Sequence, residues 1–87
     1  MTEGREVEAL IVLRGIAVDT ASPDREGMLV IAGGLLVAVL VRLDAPEHEM
    51  RGFWHLEAGF GRLLGIRAPP FATPEDATRW MRRRLRS

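Results

Sequence analysis

Eighty-seven residues make room for one domain with a modest core, since a chain of this size buries only about 60–65% of its unfolded surface. Apolar residues make up 47% and charged residues 28%, and the 12 basic side chains balance 12 acidic ones; this excludes a disordered chain and any overall field towards nucleic acid or an anionic membrane. The absence of cysteine removes disulfides, thiolate metal sites and thiol nucleophiles together and sets a reducing cytoplasm as the expected compartment.

All 12 basic residues are arginine, the codon signature of a GC-rich genome, so a bacterial source is expected. The opening MTEGREVEA is too acidic and polar for a signal peptide, and residues 1–6 read as a flexible, polar end. Residues 7–18, VEALIVLRGIAV, read as a first strand with Val7, Ala9, Ile11 and Leu13 on one face and a bend or bulge at Gly15. Residues 19–27, DTASPDREG, are dense in turn formers and read as a loop.

The most informative stretch is 28–43, MLVIAGGLLVAVLVRL. Its apolar run ends at Arg42 after the 14 residues 28–41, short of the roughly 20 that a membrane span needs. A helix would hold Gly33 and Gly34 at its centre among β-branched residues, so a hairpin turning at Gly33-Gly34 is the better reading. In a regular hairpin Ala32 faces Leu35, Val30 faces Val37 and Met28 faces Val39 on one side. Leu29, Ile31, Leu36, Ala38 and Leu40 then fall on the other side. Both faces are apolar, which marks a hairpin covered on both sides or central in its sheet.

Residues 44–50, DAPEHEM, form a polar connection. Residues 51–60, RGFWHLEAGF, alternate as an edge strand, with Trp54, Leu56, Ala58 and Phe60 opposite Phe53, His55, Glu57 and Gly59. Residues 61–72 carry Leu63, Leu64, Ile66 and Phe71 without a clean period, and Pro69-Pro70 argues against regular structure. A C-terminal helix over 73–86 opens with Thr73 as N-cap, Pro74 at the first helical position and Asp76 three residues after the cap. Its apolar stripe is Ala77, Trp80, Met81 and Leu85. The order predicts a single α+β domain: a four-stranded antiparallel β-meander with one C-terminal helix packed on one face.

Residues able to carry chemistry are few. Glu47, His48 and Glu49 together with His55 and Glu57 offer nitrogen and oxygen ligands, but the spacing is unspecific and reads as a solvated loop beside a strand edge. The run from Gly59 to Gly65 lacks the glycine that a dinucleotide loop needs where Leu64 stands. No catalytic residue, metal site or cofactor is assigned, and the chain is read as a non-enzyme. One helix is too narrow to cover both faces of the sheet, so self-association is expected: a homodimer, or an unidentified protein partner, meeting Leu29, Ile31, Leu36, Ala38 and Leu40. Two alternatives come from other classes. Trp54, Phe60, Phe71 and Trp80 would line a small-ligand pocket between sheet and helix. Arg79, Arg82, Arg83 and Arg86 would form a weak nucleic-acid face.

Overall fold

The computed structural model describes residues 10–86, the last of these by its backbone. Four strands, β1 (Ile11–Ala17), β2 (Glu26–Ala32), β3 (Leu35–Arg42) and β4 (Trp54–Gly59), form one antiparallel sheet in the order β1-β2-β3-β4. A 3₁₀ turn (Gly61–Leu63) and helix α1 (Pro74–Arg86) follow. The expected α+β meander with one C-terminal helix is the observed architecture.

The β2–β3 turn forms where two glycines allow it. Gly33 and Gly34 take φ of 59° and 81°, the pair of left-handed values that a type I′ turn needs, and Ala32 pairs with Leu35 as expected. Two residues further on the regular hairpin fails. Ile31 pairs with Leu36, but Val30 pairs with Ala38, so Val37 is one residue extra in β3. A second irregularity lies between β3 and β4: Val39 pairs with Ala58 and Leu40 with Leu56, which leaves Glu57 as the extra residue of β4.

Each insertion reverses the faces beyond it, because side chains alternate with a period of two. Ala38 and Leu40, expected on the second face, are wholly buried under α1. Val39 and Val41 take their places on the second face. In β4 the same effect moves Ala58 away from Trp54 and Leu56, and turns Gly59 inward. Gly15, by contrast, introduces no bulge, since β1 pairs with β2 without interruption from Ile11↔Ala32 to Ala17↔Glu26. Residues 1–9, with the expected start of this strand and the flexible end, lie outside the described residues.

The core lies between one sheet face and the returning C-terminal third of the chain. Val30, Ala38, Leu40 and Leu56 from the sheet meet Leu63, Phe71, Ala77 and Met81. The helix begins as its sequence dictates: Thr73 Oγ1 accepts from the Asp76 amide at 3.1 Å, and Pro74 occupies a position whose N–H would have no partner. Ala77 and Met81 are buried and Trp80 and Leu85 half-buried, so the stripe faces the sheet. The irregular segment also packs on this side, through Leu63, Ile66 and Ala68. It then closes part of the β4 edge, because Trp54 N donates to Phe71 O at 2.6 Å and Phe71 N returns to Trp54 O at 2.8 Å. The expected strand over 51–60 is therefore shorter at its start; Arg51–Phe53 are taken up by a turn in which Phe53 N donates to Met50 O at 2.9 Å.

Gly59 is the tightest point of this arrangement. A Cβ there would collide with the carbonyl of Leu63, which is backbone and has no room to yield, whereas a Cβ on Gly15 meets nothing within 4 Å. Gly59→Ala is therefore expected to cost about 1–3 kcal/mol, while Gly15→Ala stays within about 1 kcal/mol of the parent. Urea unfolding of the two variants checks the contrast.

Candidate functional site

Among the described residues, α1 and residues 61–72 cover one face of the sheet and not the other. On it β1 presents Val12, Arg14 and Ile16, β2 presents Leu29 and Ile31, and β3 presents Leu36, Val39 and Val41. Val12, Ile16 and Leu36 are exposed by 37%, 47% and 42%, and Leu29, Ile31 and Val39 are half-buried. The registers set these side chains in rows across the sheet. Val12, Ile31 and Leu36 form one row; Arg14, Leu29, Val39 and Ala58 form the next; Ile16, Gly27, Val41 and His55 form the third. Of the expected interface residues, Leu29, Ile31 and Leu36 lie on this face. Ala38 and Leu40 do not, for the reason that the Val37 bulge supplies.

The face is closed at one end by two loops that Asp24 ties together. Its Oδ1 accepts the amides of Asp44 at 2.6 Å and Ala45 at 2.7 Å, and its Oδ2 lies 2.8 Å from Nε2 of His48. An ionised carboxylate only accepts, so the His48 nitrogen is the donor. The Asp24 loop is itself braced: Thr20 Oγ1 donates to Asp24 O at 2.6 Å, the Asp24 amide donates to Ser22 Oγ at 3.0 Å, and Asp19 Oδ1 accepts from Ala21 N at 3.1 Å. Burial pushes the Asp24 carboxyl up, but the His48 hydrogen bond, the two backbone amides and the electrostatic pull of His48 outweigh it and hold the carboxyl below the usual range.

Beside this clamp a half-open cavity of 370 Å³ is lined by Thr20, Asp24, Val41, Leu43, His48, His55 and Glu57. The topology thus brings His48, His55 and Glu57 to one place, and adds Asp24, whose loop position carried no signal of its own beyond the turn chemistry around Pro23. Glu47 and Glu49 are exposed and do not line it. The polar groups are engaged with one another: Asp24 holds His48, and Glu57 Oε1 lies 3.9 Å from Nε2 of His55. Among the described residues no group of three or more His, Asp or Glu side chains is arranged to hold a metal ion.

The aromatic set expected to line a pocket is mostly core. Trp54 and Phe71 are buried, Phe71 meets Trp80 edge-on at a centroid distance of 5.6 Å, and Phe60 stands apart and exposed. A sheet–helix cavity does exist, but Ile11, Leu35, Val37, Arg62, Arg82 and Leu85 are among its lining residues, and its 220 Å³ falls below the roughly 300–1,000 Å³ of ligand pockets. The arginines are also partly engaged. Arg79 pairs with Asp76, Arg82 lines the sheet–helix cavity, and Arg84 stacks 3.7 Å above the Trp80 ring. Arg83 is exposed, and the side chain of Arg86 lies outside the described residues. No helix among the described residues is long and apolar enough to cross a membrane.

The Asp24 clamp has a definite pH signature. Unfolding returns the carboxyl to an ordinary value of about 3.9, so between that value and the lower native one the unfolded chain binds more protons than the native protein. The stabilisation is complete above about pH 3.9 and is lost as the pH falls through the native value. Asp24→Asn should therefore lower the urea midpoint near neutral pH, and the gap to the parent should close on acidification; a gap independent of pH would show that the charge is not what holds the loops. Compared with protein-family models, with curated proteins and with solved structures, the chain matches none of them.

Proposed function

We propose that the protein is a non-catalytic interaction module that self-associates by packing its uncovered sheet face against the same face of a second copy. The observation that carries this reading is the apolar surface of Val12, Ile16, Leu29, Ile31, Leu36 and Val39, over which the described chain places neither its helix nor its irregular segment. A sheet whose second face met water would alternate polar residues there, and the two central strands, β2 and β3, do not.

Size supports the same reading. Strands spaced about 4.8 Å apart and rising about 3.4 Å per residue give a face of roughly 300–400 Å² in projection, within the roughly 300–600 Å² of the largest patch on a typical monomer, a patch that is often functional. It is about half of one side of a standard interface, so association is expected in the micromolar range and to depend on concentration. A formal net charge of zero sets no long-range barrier between two copies. Two such faces packed about 10 Å apart make a β-sandwich with a helix on each outer side.

Leu36 provides the test, since it is exposed on the face and its replacement leaves the core intact. Leu36→Glu places an unpaired charge in the contact and should weaken association on the order of 100-fold with an unchanged circular dichroism spectrum. Leu40→Glu should instead unfold the chain, because Leu40 is wholly buried beneath α1. Sedimentation velocity between about 1 and about 100 μM, a range that brackets interfaces of this size, reads both variants; a parent chain that stays monomeric throughout would overturn the proposal.

A further inference from the structure

The charges on the uncovered face bear on how two copies are oriented. Its strands carry Arg14 on β1, at one edge of the sheet, and Glu57 with His55 on β4, at the other. Arg14 makes no ion pair with a described residue. Glu57 is 47% exposed at its side chain and looks onto this face beside His55. The registers place the two charges at one level along the strands: Arg14 is opposite Leu29, Leu29 opposite Val39 and Val39 opposite Ala58, and Glu57 is the bulged residue next to Ala58.

Two identical sheets packed face to face are related by a two-fold axis lying between them, and its direction decides which edges meet. An axis perpendicular to the strands lays β1 over β1 and β4 over β4. Since Arg14 and Glu57 lie near the middle row, each would then face its own copy, Arg14 against Arg14 and Glu57 against Glu57. An axis parallel to the strands keeps every row at its level and lays β1 of one copy over β4 of the other. Arg14 then meets Glu57 at both ends of the row. The twist between aligned sheets, about 30°, displaces groups some 7 Å off the axis by about 4 Å, within reach of an arginine side chain.

The apolar residues agree with the second arrangement. Phe60 continues β4 in extended conformation, its N–H donating to Val37 O at 3.0 Å, and it is 42% exposed. Alternation from the inward-turned Gly59 puts its ring on the uncovered face, near the level of Leu36 and hence of Val12. With the axis parallel to the strands, Phe60 of each copy covers Val12 of the other.

We propose that two copies pack with their two-fold axis parallel to the strands, so that Arg14 of each copy pairs with Glu57 of the other across the apolar centre. This orientation rests on the self-association proposed above and assigns its specificity to two rim charges. It is tested with Arg14→Glu, Glu57→Arg and the variant carrying both changes, beside Leu36→Glu, by sedimentation equilibrium at low salt. Each single reversal converts two attractive contacts into two repulsive ones and should weaken the homodimer on the order of tenfold. The double variant restores opposite charges and should return to the parent affinity, and an equimolar mixture of the two single variants should form the mixed dimer in preference to either homodimer.

Single reversals that dimerise as the parent does, while Leu36→Glu still disperses the dimer, would overturn the orientation and leave the interface standing. Reversals that weaken the dimer without rescue in the double variant would also overturn it. A parent chain that is monomeric at every concentration would remove the interface and the orientation together.

Discussion

The insertion of one residue, Val37, into β3 is the constraint on which the faces of this sheet depend. With Val37 to spare, Ala38 and Leu40 turn towards Leu56, Leu63 and Met81 and complete the core. Without it, the same side chains would stand on the outer face, and Val39 and Val41 would be offered to the helix in their place. The bulge at Glu57 does the matching work in β4. It turns Gly59 inward at the point where the backbone of Leu63 leaves no room for a side chain. The first insertion sets the face of Ala38 and Leu40, and the second brings Gly59 opposite Ala38 while Leu40 stays opposite Leu56 under the helix.

What the core takes, the outer face loses, and the loops decide how much of the remainder is sealed. Asp24 uses both carboxylate oxygens to hold the 44–48 connection against the 19–25 loop, which covers Val41 and leaves the polar wall of Thr20, His48, His55 and Glu57 at one end. A carboxylate suits this place because it accepts several donors at once, including the buried amide of Ala45 and the part-buried amide of Asp44. Beyond this wall β2 and β3 present only apolar side chains as far as the Gly33-Gly34 turn, with Arg14 on the β1 edge. The boundary between the two regions falls at the row of Val41 and His55, one row from Arg14 and Glu57.

How much of this was legible in the sequence follows from how local each signal is. The turn was legible because two adjacent glycines within a β-branched run have few other uses, and the helix start because Thr73, Pro74 and Asp76 fill their positions by chemistry that needs no distant partner. The bulges were not. From Leu35 to Val41 every residue is apolar, so a shift by one exchanges Leu for Val and leaves the hydropathy pattern unchanged. Only a polar residue within that run would have marked the reversal. Asp24 was hidden for a different reason, since its donors lie 20, 21 and 24 residues away and its neighbours Ser22 and Pro23 already account for an aspartate in a turn. The side taken by residues 61–72 was equally closed to a periodic reading, because it is set by the antiparallel bridge between Phe71 and Trp54.

Apolar contact and charge have separate parts in the association proposed here. The apolar rows supply affinity but little direction, because Val, Leu and Ile surfaces tolerate sliding and rotation against one another, and a weak interface is the most exposed to that ambiguity. Charges at the rim supply little affinity, being solvated in both states, yet they distinguish arrangements that bury the same area. Placing the positive group on the first strand and the negative group on the last makes the sheet self-complementary about one axis and self-repelling about the other. That property comes from meander order and register, not from net charge, which is zero. It depends on the bulge as well: Glu57 is the residue that the β3–β4 register leaves over, and it stands beside the middle row because Ala58 has taken the pairing position opposite Val39.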